Sequence, residues 1–99
     1  MTRGGSVYIM TNRHYTVFYT GVTSNLMVRV LQHKEKYFPR SFTARYNANI
    51  LIYFEAYSTI LGAIVREKQV KKYSRKKKID LIQGVNPSWK DLFDEIKEW

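Results

Sequence analysis

The fold is decided largely by residues 6–22, which read SVYIMTNRHYTVFYTGV. Both ends of this stretch are rich in β-branched and aromatic residues, and the polar residues 12–15 separate them. That pattern is typical of two antiparallel strands joined by a turn. A symmetric turn centred between Arg13 and His14 places Tyr8 directly opposite Tyr19. The stretch therefore predicts a β-hairpin with a tyrosine pair across its two strands.

This tyrosine pair is the first candidate for chemistry. Cross-strand partners project from the same face of a sheet, with Cβ atoms about 5 Å apart. The hairpin thus predicts that the phenol groups of Tyr8 and Tyr19 lie side by side. On the pattern alone, an aromatic pair that only packs is the favoured explanation.

The remaining chain predicts several helices and one further strand, in the order β-β-α-β-α-α with a short C-terminal helix. The third strand, 50–57, is apolar nearly throughout, which is typical of a central strand covered on both faces. The other predicted elements are a helix over 25–37 capped by Thr23 or Ser24 and ended by Pro39, a polar loop over 40–49, a helix over 60–72 capped by Ser58 or Thr59, a helix over 75–83 closed by Gly84, and a helix over 88–97.

Helical spacing indicates which side chains face inward. In the first helix, the predicted core stripe consists of Met27, Val30, Leu31 and Lys34, with Leu26 beside it. Arg29 and His33 are four residues apart and share a neighbouring face. In the second helix, the inward stripe consists of Ile60, Ala63, Ile64 and Glu67. A carboxylate on that side requires a cation, a metal or hydrogen bonds.

The charge is strongly positive and uneven. The 99 residues carry a net charge of +9, and residues 1–88 contain 15 Lys and Arg against four Asp and Glu. A charge of this size attracts polyanions. It favours nucleic acid over a membrane surface, because no predicted helix pairs its charges with a broad apolar face. A charge excess kept for solubility is the alternative.

Composition excludes several classes of protein. With no cysteine there is no disulfide framework or thiolate metal site, and with two histidines the usual zinc sites are excluded. No apolar run reaches the roughly 18 residues of a membrane helix. Residues 1–6 are too short and polar for a signal peptide, so we expect a cytoplasmic location. The length of 99 residues predicts a single domain over 1–99.

Several motifs together resemble the GIY-YIG nuclease superfamily, in particular its short single-domain bacterial branch. The two halves of the signature correspond to VYI at 7–9 and FYTG at 18–21, with Val7 in place of the first Gly and Thr20 in place of the second Ile. The further matching motifs are GVTSNL at 21–26, QHK at 32–34, FTARYN at 42–47, REKQVKK at 66–72 and NPSWKDL at 86–92. The resemblance covers about residues 6–95 and implies an α+β fold with a three-stranded antiparallel sheet flanked by helices.

The resemblance also implies a catalytic centre. Tyr8 and Tyr19 would face the scissile phosphate, Arg29 would clamp it, and Glu67 would hold Mg²⁺ or Mn²⁺. Either tyrosine could be the base. His33 could orient the attacking water or contact a phosphate oxygen, and a histidine on the helix surface is the alternative. No small-molecule cofactor is expected.

Basic and aromatic residues complete the predicted nucleic-acid contacts. Residues 66–78 contain eight Lys and Arg, for which phosphate contact and a solvated surface are equally open interpretations. Arg45 and Tyr46 would line the cleft and stack on unpaired bases. The candidate nucleic-acid-binding residues are Lys34, Arg45, Tyr46, Lys68, Lys71, Lys72 and Arg75.

Three functions are compatible with the sequence. The first is a metal-dependent endonuclease that acts on DNA in repair or recombination, with RNA as the alternative target. The second is a binding module of the same fold without catalysis, which a lysine ion pair to Glu67 would favour. The third is a protein-interaction domain, in which the acidic segment after residue 90 docks a basic partner or folds back on the basic surface.

Overall fold

The computed structural model describes residues 4–99 as a three-stranded antiparallel sheet with helices on both of its faces. The elements, in chain order, are β1 (Gly5–Thr11), β2 (Phe18–Thr23), α1 (Leu26–Lys34), α2 (Phe42–Arg45), β3 (Ile50–Tyr57), α3 (Ile60–Lys71), α4 (Arg75–Val85) and α5 (Phe93–Ile96). The predicted α+β class, the antiparallel sheet and its flanking helices are confirmed. The predicted order lacked α2, which lies in the segment predicted as a loop.

The central strand of the sheet is β1. The strand order is β2-β1-β3, and every residue of β1 is buried. The prediction of β3 as a central strand was wrong, because in the described residues 4–99 it pairs with β1 alone. The apolar sequence of β3 is explained by the segments that pack on its two faces. Burial of these faces does not require a further strand on the other edge of β3.

The hairpin register differs from the predicted one by two residues. Tyr8 lies opposite Gly21, and Tyr19 lies opposite Met10. The turn spans residues 12–17 and is longer than predicted. Within it, the Asn12 side chain accepts a hydrogen bond from the backbone N–H of Thr16 at 2.8 Å. A shift of two residues preserves the alternation of side chains between faces. The two tyrosines therefore still project from the same face, as diagonal neighbours.

Helix α1 is shorter than predicted and is capped differently. The Asn25 side chain accepts a hydrogen bond from the N–H of Val28 at 3.3 Å, so Asn25 is the cap in place of Thr23 or Ser24. The helix ends at Lys34, well before Pro39.

The buried face of α1 also differs from the predicted stripe. The buried residues are Leu26, Val30 and His33, whereas Leu31 is exposed. The buried polar residue is His33, whose ring nitrogens have hydrogen-bond partners inside the protein. Apolar periodicity alone does not indicate that a histidine belongs to the buried face of the helix.

Alternate residues of β1 face two separate cores. Tyr8 and Met10 pack with residues of α1 and α5, whereas Ile9 packs with residues of α3 and α4. In α3, the buried residues are Ala63, Glu67 and Val70. Thr59 caps α3, and it is one of the two residues, Ser58 and Thr59, that were predicted for this position. The prediction that Glu67 lies on the inward side is thereby confirmed.

The C-terminal segment is less helical than predicted. Helix α4 continues through Gly84 to Val85, and only α5 remains of the helix predicted over 88–97. The side chain of Asn86 is buried and donates to the backbone oxygens of Ile52 at 3.0 Å and Lys90 at 2.9 Å. These bonds hold residues 86–90 against β3. None of the helices in residues 4–99 is long and apolar enough to cross a membrane.

Candidate active site

The close approach of Tyr8 to Gly21 forms the centre of the site. A Cβ atom added to Gly21 would lie 2.5 Å from the hydroxyl oxygen of Tyr8, so only glycine leaves room for this phenol ring. The ring centroids of Tyr8 and Tyr19 are 6.3 Å apart. Tyr8 is buried, whereas Tyr19 is half-buried. The predicted pairing of the two phenols on one face is confirmed, although they are not directly opposite each other.

A buried chain of hydrogen bonds runs from Tyr8 into α2. The Tyr8 hydroxyl is 2.8 Å from Nε2 of His33, and Nδ1 of His33 is 2.8 Å from the Thr43 hydroxyl. The hydroxyl of Ser41 continues the chain, 3.2 Å from that of Thr43. His33 is only 6% exposed, so it is not a histidine of the helix surface. Thr43 and Ser41 were not among the predicted site residues; the motif FTARYN at 42–47 contains Thr43, but only Arg45 and Tyr46 of that motif were predicted to line the cleft.

The protonation states of this chain follow from its burial. Burial, with the nearby charge of Arg29, lowers the pKa of His33 to about 4, so the imidazole is neutral at pH 7. Burial also raises the pKa of Tyr8 to about 12, against the opposing effect of Arg29, so this hydroxyl keeps its proton. These values favour the arrangement in which Tyr8 donates to Nε2 and Nδ1–H donates to Thr43.

Arg29 brings a fixed positive charge to the two tyrosines. Although burial opposes it, interactions with Tyr8 and Tyr19 hold the pKa of Arg29 above its usual range. Its Nη1 donates to the Gln32 side chain at 3.2 Å, and its guanidinium lies 5.5 Å from the centre of the Phe38 ring. The structure thus brings together Tyr8, Tyr19, Arg29 and His33, which the resemblance to the GIY-YIG superfamily implied would share one site.

Glu67 is the one buried carboxylate in the described residues 4–99, and its charge reaches Tyr8. Its negative charge acts on Tyr8, as one of the smaller effects that raise the pKa of that phenol. Its Oε2 lies 2.9 Å from Nζ of Lys71, four residues further along α3. No group of three or more His, Asp or Glu side chains in the described part of the chain is arranged to hold a metal ion.

The residues present nevertheless fit a Mg²⁺ or Mn²⁺ ion that is held by a single carboxylate of the protein. Mg²⁺ is commonly held by one carboxylate together with substrate phosphates and water. Glu67 offers buried hard oxygen ligands, and its ion-pair partner Lys71 is exposed enough to move aside. A site of this kind needs the substrate to be complete.

Exposed aromatic rings extend from Tyr19 over α2. The rings of Tyr19 and Phe42 are stacked with centroids 6.1 Å apart, and Phe42 lies 4.7 Å from Tyr46. The Arg45 guanidinium lies 5.7 Å from the centre of the Tyr46 ring. Phe42 and Tyr46 are both more than 40% exposed. The predicted residues Arg45 and Tyr46 therefore belong to a surface that is continuous with the site, and Phe42 joins them.

The predicted basic residues differ in whether their side chains are engaged in ion pairs or hydrogen bonds within the protein. The Lys34 ammonium is bound to the Asp91 carboxylate and to the Asn49 carbonyl at 2.8 Å. Arg75 donates to the Tyr15 carbonyl at 2.6 Å, which fastens α4 to the hairpin turn. Lys71 is paired with Glu67, whereas Lys68 and Lys72 are exposed and make no ion pair within residues 4–99.

A cleft of about 270 Å³ adjoins Tyr19. It is lined by Phe18, Tyr19, Thr20, Phe42, Lys71 and Lys78. Four of these, Phe18, Thr20, Phe42 and Lys78, were not predicted as site residues. Lys78 lay in a basic run with no feature to distinguish it, and Thr20 occupies a signature position that is ordinarily apolar.

Comparison with known proteins agrees with this geometry. A family model described as the GIY-YIG catalytic domain matches residues 4–80, a range that contains all five predicted catalytic residues. A relative from Syntrophus aciditrophicus (strain SB), described as a UPF0213 protein, is 32% identical over 77 residues, which are 78% of this chain and 87% of the relative. No solved structure matches the chain. The chain therefore belongs to the GIY-YIG family, whose domains are typically nucleases that act on nucleic acid.

Proposed function

We propose that this protein is a divalent-metal-dependent endonuclease that hydrolyses phosphodiester bonds in DNA. The observation that carries the proposal is the convergence of Tyr8, Tyr19, Arg29 and His33 in one interacting group, with buried Glu67 acting on the same tyrosine. GIY-YIG nucleases generally depend on divalent metals. Action in the cytoplasm, in DNA repair or recombination, is part of the same proposal.

The Tyr8–His33 hydrogen bond supports a route for the proton that hydrolysis must remove from water. With Tyr8 protonated and His33 neutral, Nε2 of the imidazole carries the lone pair that can take up a proton. As the water oxygen bonds to phosphorus, its proton passes to the Tyr8 oxygen and the Tyr8 proton passes to Nε2. The bond from phosphorus to the leaving oxygen breaks, and its electron pair stays on that oxygen. Negative charge that develops on the phosphate favours the imidazolium, which burial and Arg29 disfavour in the free protein.

The other residues hold the phosphate in place. Arg29 offers fixed, paired donors to two phosphate oxygens, at a point where their charge increases in the transition state. Tyr19 is more exposed than Tyr8 and lines the cleft, so its hydroxyl is the phenol that reaches the substrate first. A divalent cation held by Glu67 would add positive charge at the same phosphate when bound.

Cleavage assays on a panel of substrates test the proposal. Branched, nicked, single-stranded and duplex DNA are incubated with the protein and Mg²⁺ or Mn²⁺, with matching RNA strands as a further arm. We expect cleavage of at least one DNA substrate, its loss in Glu67→Gln, and a decrease of roughly 100-fold or more in Arg29→Ala.

A matched control separates loss of the site from loss of a carboxylate. Glu98→Gln makes the same chemical change at an exposed position outside the region matched by the family, and should leave cleavage unaltered. The proposal fails if no substrate is cut with either metal, or if Glu67→Gln cuts as fast as the wild type. Preferential cleavage of RNA would correct the substrate.

A binding module without catalysis is the second candidate, and the Glu67–Lys71 ion pair favours it. In that case Lys71 neutralises the carboxylate that a nuclease would use. Binding through six to eight phosphate contacts predicts a log–log salt slope of roughly −5 to −7 for duplex DNA. Such a slope in the absence of cleavage on every substrate would support the module, and a flat salt dependence would count against any nucleic-acid role.

A further inference from the structure

The cleft beside Tyr19 contains a threonine whose hydroxyl lacks a partner. Thr20 is only 4% exposed, and its Oγ1 makes no hydrogen bond among residues 4–99. A buried polar group without a partner costs about 1–3 kcal/mol relative to one that is hydrogen-bonded. Thr20 stands where the family signature has an apolar residue, so this cost is not required by the fold.

Two ammonium groups share the same cleft. Lys71 and Lys78 come from different helices, α3 and α4, and both line it. Lys78 makes no ion pair with any Asp or Glu in the described residues 4–99. Burial, together with the charge of Lys71, lowers the pKa of Lys78. Like charges placed together at a partly buried site are stabilised when an anion lies between them.

The walls of the cleft suit a nucleotide. Phe18 and Phe42 provide aromatic surface, and Tyr19 connects the cleft to the group that we propose to hold the scissile phosphate. The volume of about 270 Å³ is large enough for a phosphate group with part of its sugar or base.

We propose that Thr20, Lys71 and Lys78 form a second phosphate site, which takes a phosphate of the substrate strand next to the scissile one. The Thr20 hydroxyl donates to a phosphate oxygen, and the two ammonium groups neutralise its charge. Lys71 can serve this phosphate and Glu67 together, because an ammonium group has three donors. The site rests on the proposed function only in that its ligand is a nucleic-acid strand.

Binding is measured without cleavage, in EDTA, to a single-stranded and a duplex oligonucleotide over a range of salt concentrations. Lys78→Gln should reduce the steepness of the salt slope by about 1. Lys76→Gln is the matched control, because its ammonium is exposed and bound to Asp80 on the same helix. It should leave the slope closer to that of the wild type.

Thr20→Val separates a binding role from a structural one. Because it removes an unpartnered hydroxyl without changing the volume, we expect a higher thermal midpoint and an affinity lower by roughly ten-fold. Oligonucleotides with and without a terminal phosphate show which phosphate is bound. An equal loss on both indicates an internal diester, and a loss confined to the phosphorylated strand indicates a terminal monoester.

Two outcomes would overturn the proposal. One is a Thr20→Val protein that is more stable and binds as tightly as the wild type, and the other is a Lys78→Gln protein that behaves like Lys76→Gln. Either result leaves the nuclease proposal untouched, since that depends on Glu67→Gln in the cleavage assay. Conversely, a protein that never cuts but loses affinity in both variants retains the second phosphate site.

Discussion

A neutral, buried imidazole distinguishes this site at the scale of single residues. His33 is held between two hydroxyl groups, those of Tyr8 and Thr43, and each ring nitrogen has one partner. With both partners in place, burial costs the neutral ring little, whereas the charged ring would lose its hydration beside the Arg29 cation. The same environment that keeps His33 neutral at pH 7 makes its protonation destabilising for the fold.

This environment predicts a pH-dependent loss of stability. The pKa of His33 is about 4 in the folded chain against 6.5 for a free histidine, so the unfolded chain binds the extra proton first. The contribution of His33 is complete above pH 6.5 and is lost as the pH falls toward 4, by up to about 3 kcal/mol. Urea unfolding at pH 7 and at pH 4.5 measures this loss. His33→Gln should show a smaller difference between the two values, and an equal difference would contradict the explanation.

Some site residues could be predicted from the sequence and others could not. The hairpin pattern placed Tyr8 and Tyr19 on one face, and helical spacing placed Glu67 inward, because both depend on local periodicity. Thr43 and Thr20 depend on which segment packs against them. That information is tertiary, and no periodicity in the sequence carries it.

At the scale of elements, the short helix α2 is the main difference between prediction and structure. It has a single turn, capped by the Ser41 side chain, within a polar stretch that lacks an apolar stripe. The longer elements β3 and α3 were predicted nearly to the residue, because eight to twelve residues suffice to establish a pattern. Strand order was not predictable in the same way, since it depends on pairing between distant segments.

Helix α2 predicts a role for its exposed aromatic rings. If Phe42 stacks on an unpaired base, Phe42→Leu should weaken binding to a single-stranded oligonucleotide by roughly ten-fold, because one stacked base contributes about 1–3 kcal/mol. Phe42→Tyr retains an aromatic face and should bind as the wild type does. Equal affinity of all three proteins, measured by fluorescence anisotropy, would exclude stacking at this position.

At the scale of the whole molecule, the acidic C-terminal segment is folded onto the chain's own basic groups. The Asp91 carboxylate is bound to Lys34 of α1 and accepts from the N–H groups of Leu51 at 3.2 Å and Phe93 at 3.0 Å. One carboxylate thus connects α1, β3 and the residues before α5. Of the two uses considered for this segment, the structure favours folding back over docking a partner.

This connection predicts a large difference between two aspartates of the same segment. Asp91→Ala should lower the free energy of unfolding by about 2 kcal/mol or more, because it leaves several donors without an acceptor. Asp94→Ala should have no measurable effect, because Asp94 makes an exposed ion pair with Lys97. Urea unfolding at pH 7 compares the two variants, and similar values would contradict the role given to Asp91.

The contact between Gly21 and Tyr8 constrains the order in which this chain could accept substitutions. Any side chain at position 21 meets the Tyr8 phenol before it meets anything else, at 2.5 Å for a Cβ atom. Laboratory evolution that starts from this sequence should therefore find a change at Gly21 only after Tyr8 has been replaced by a smaller residue. Replacement of Tyr8 would remove the hydrogen-bonded chain from Tyr8 to His33 that we propose for catalysis. Selection for activity should therefore eliminate variants that lose Tyr8 before Gly21 can change. The two halves of the signature then behave as one inherited unit, although they lie on different strands.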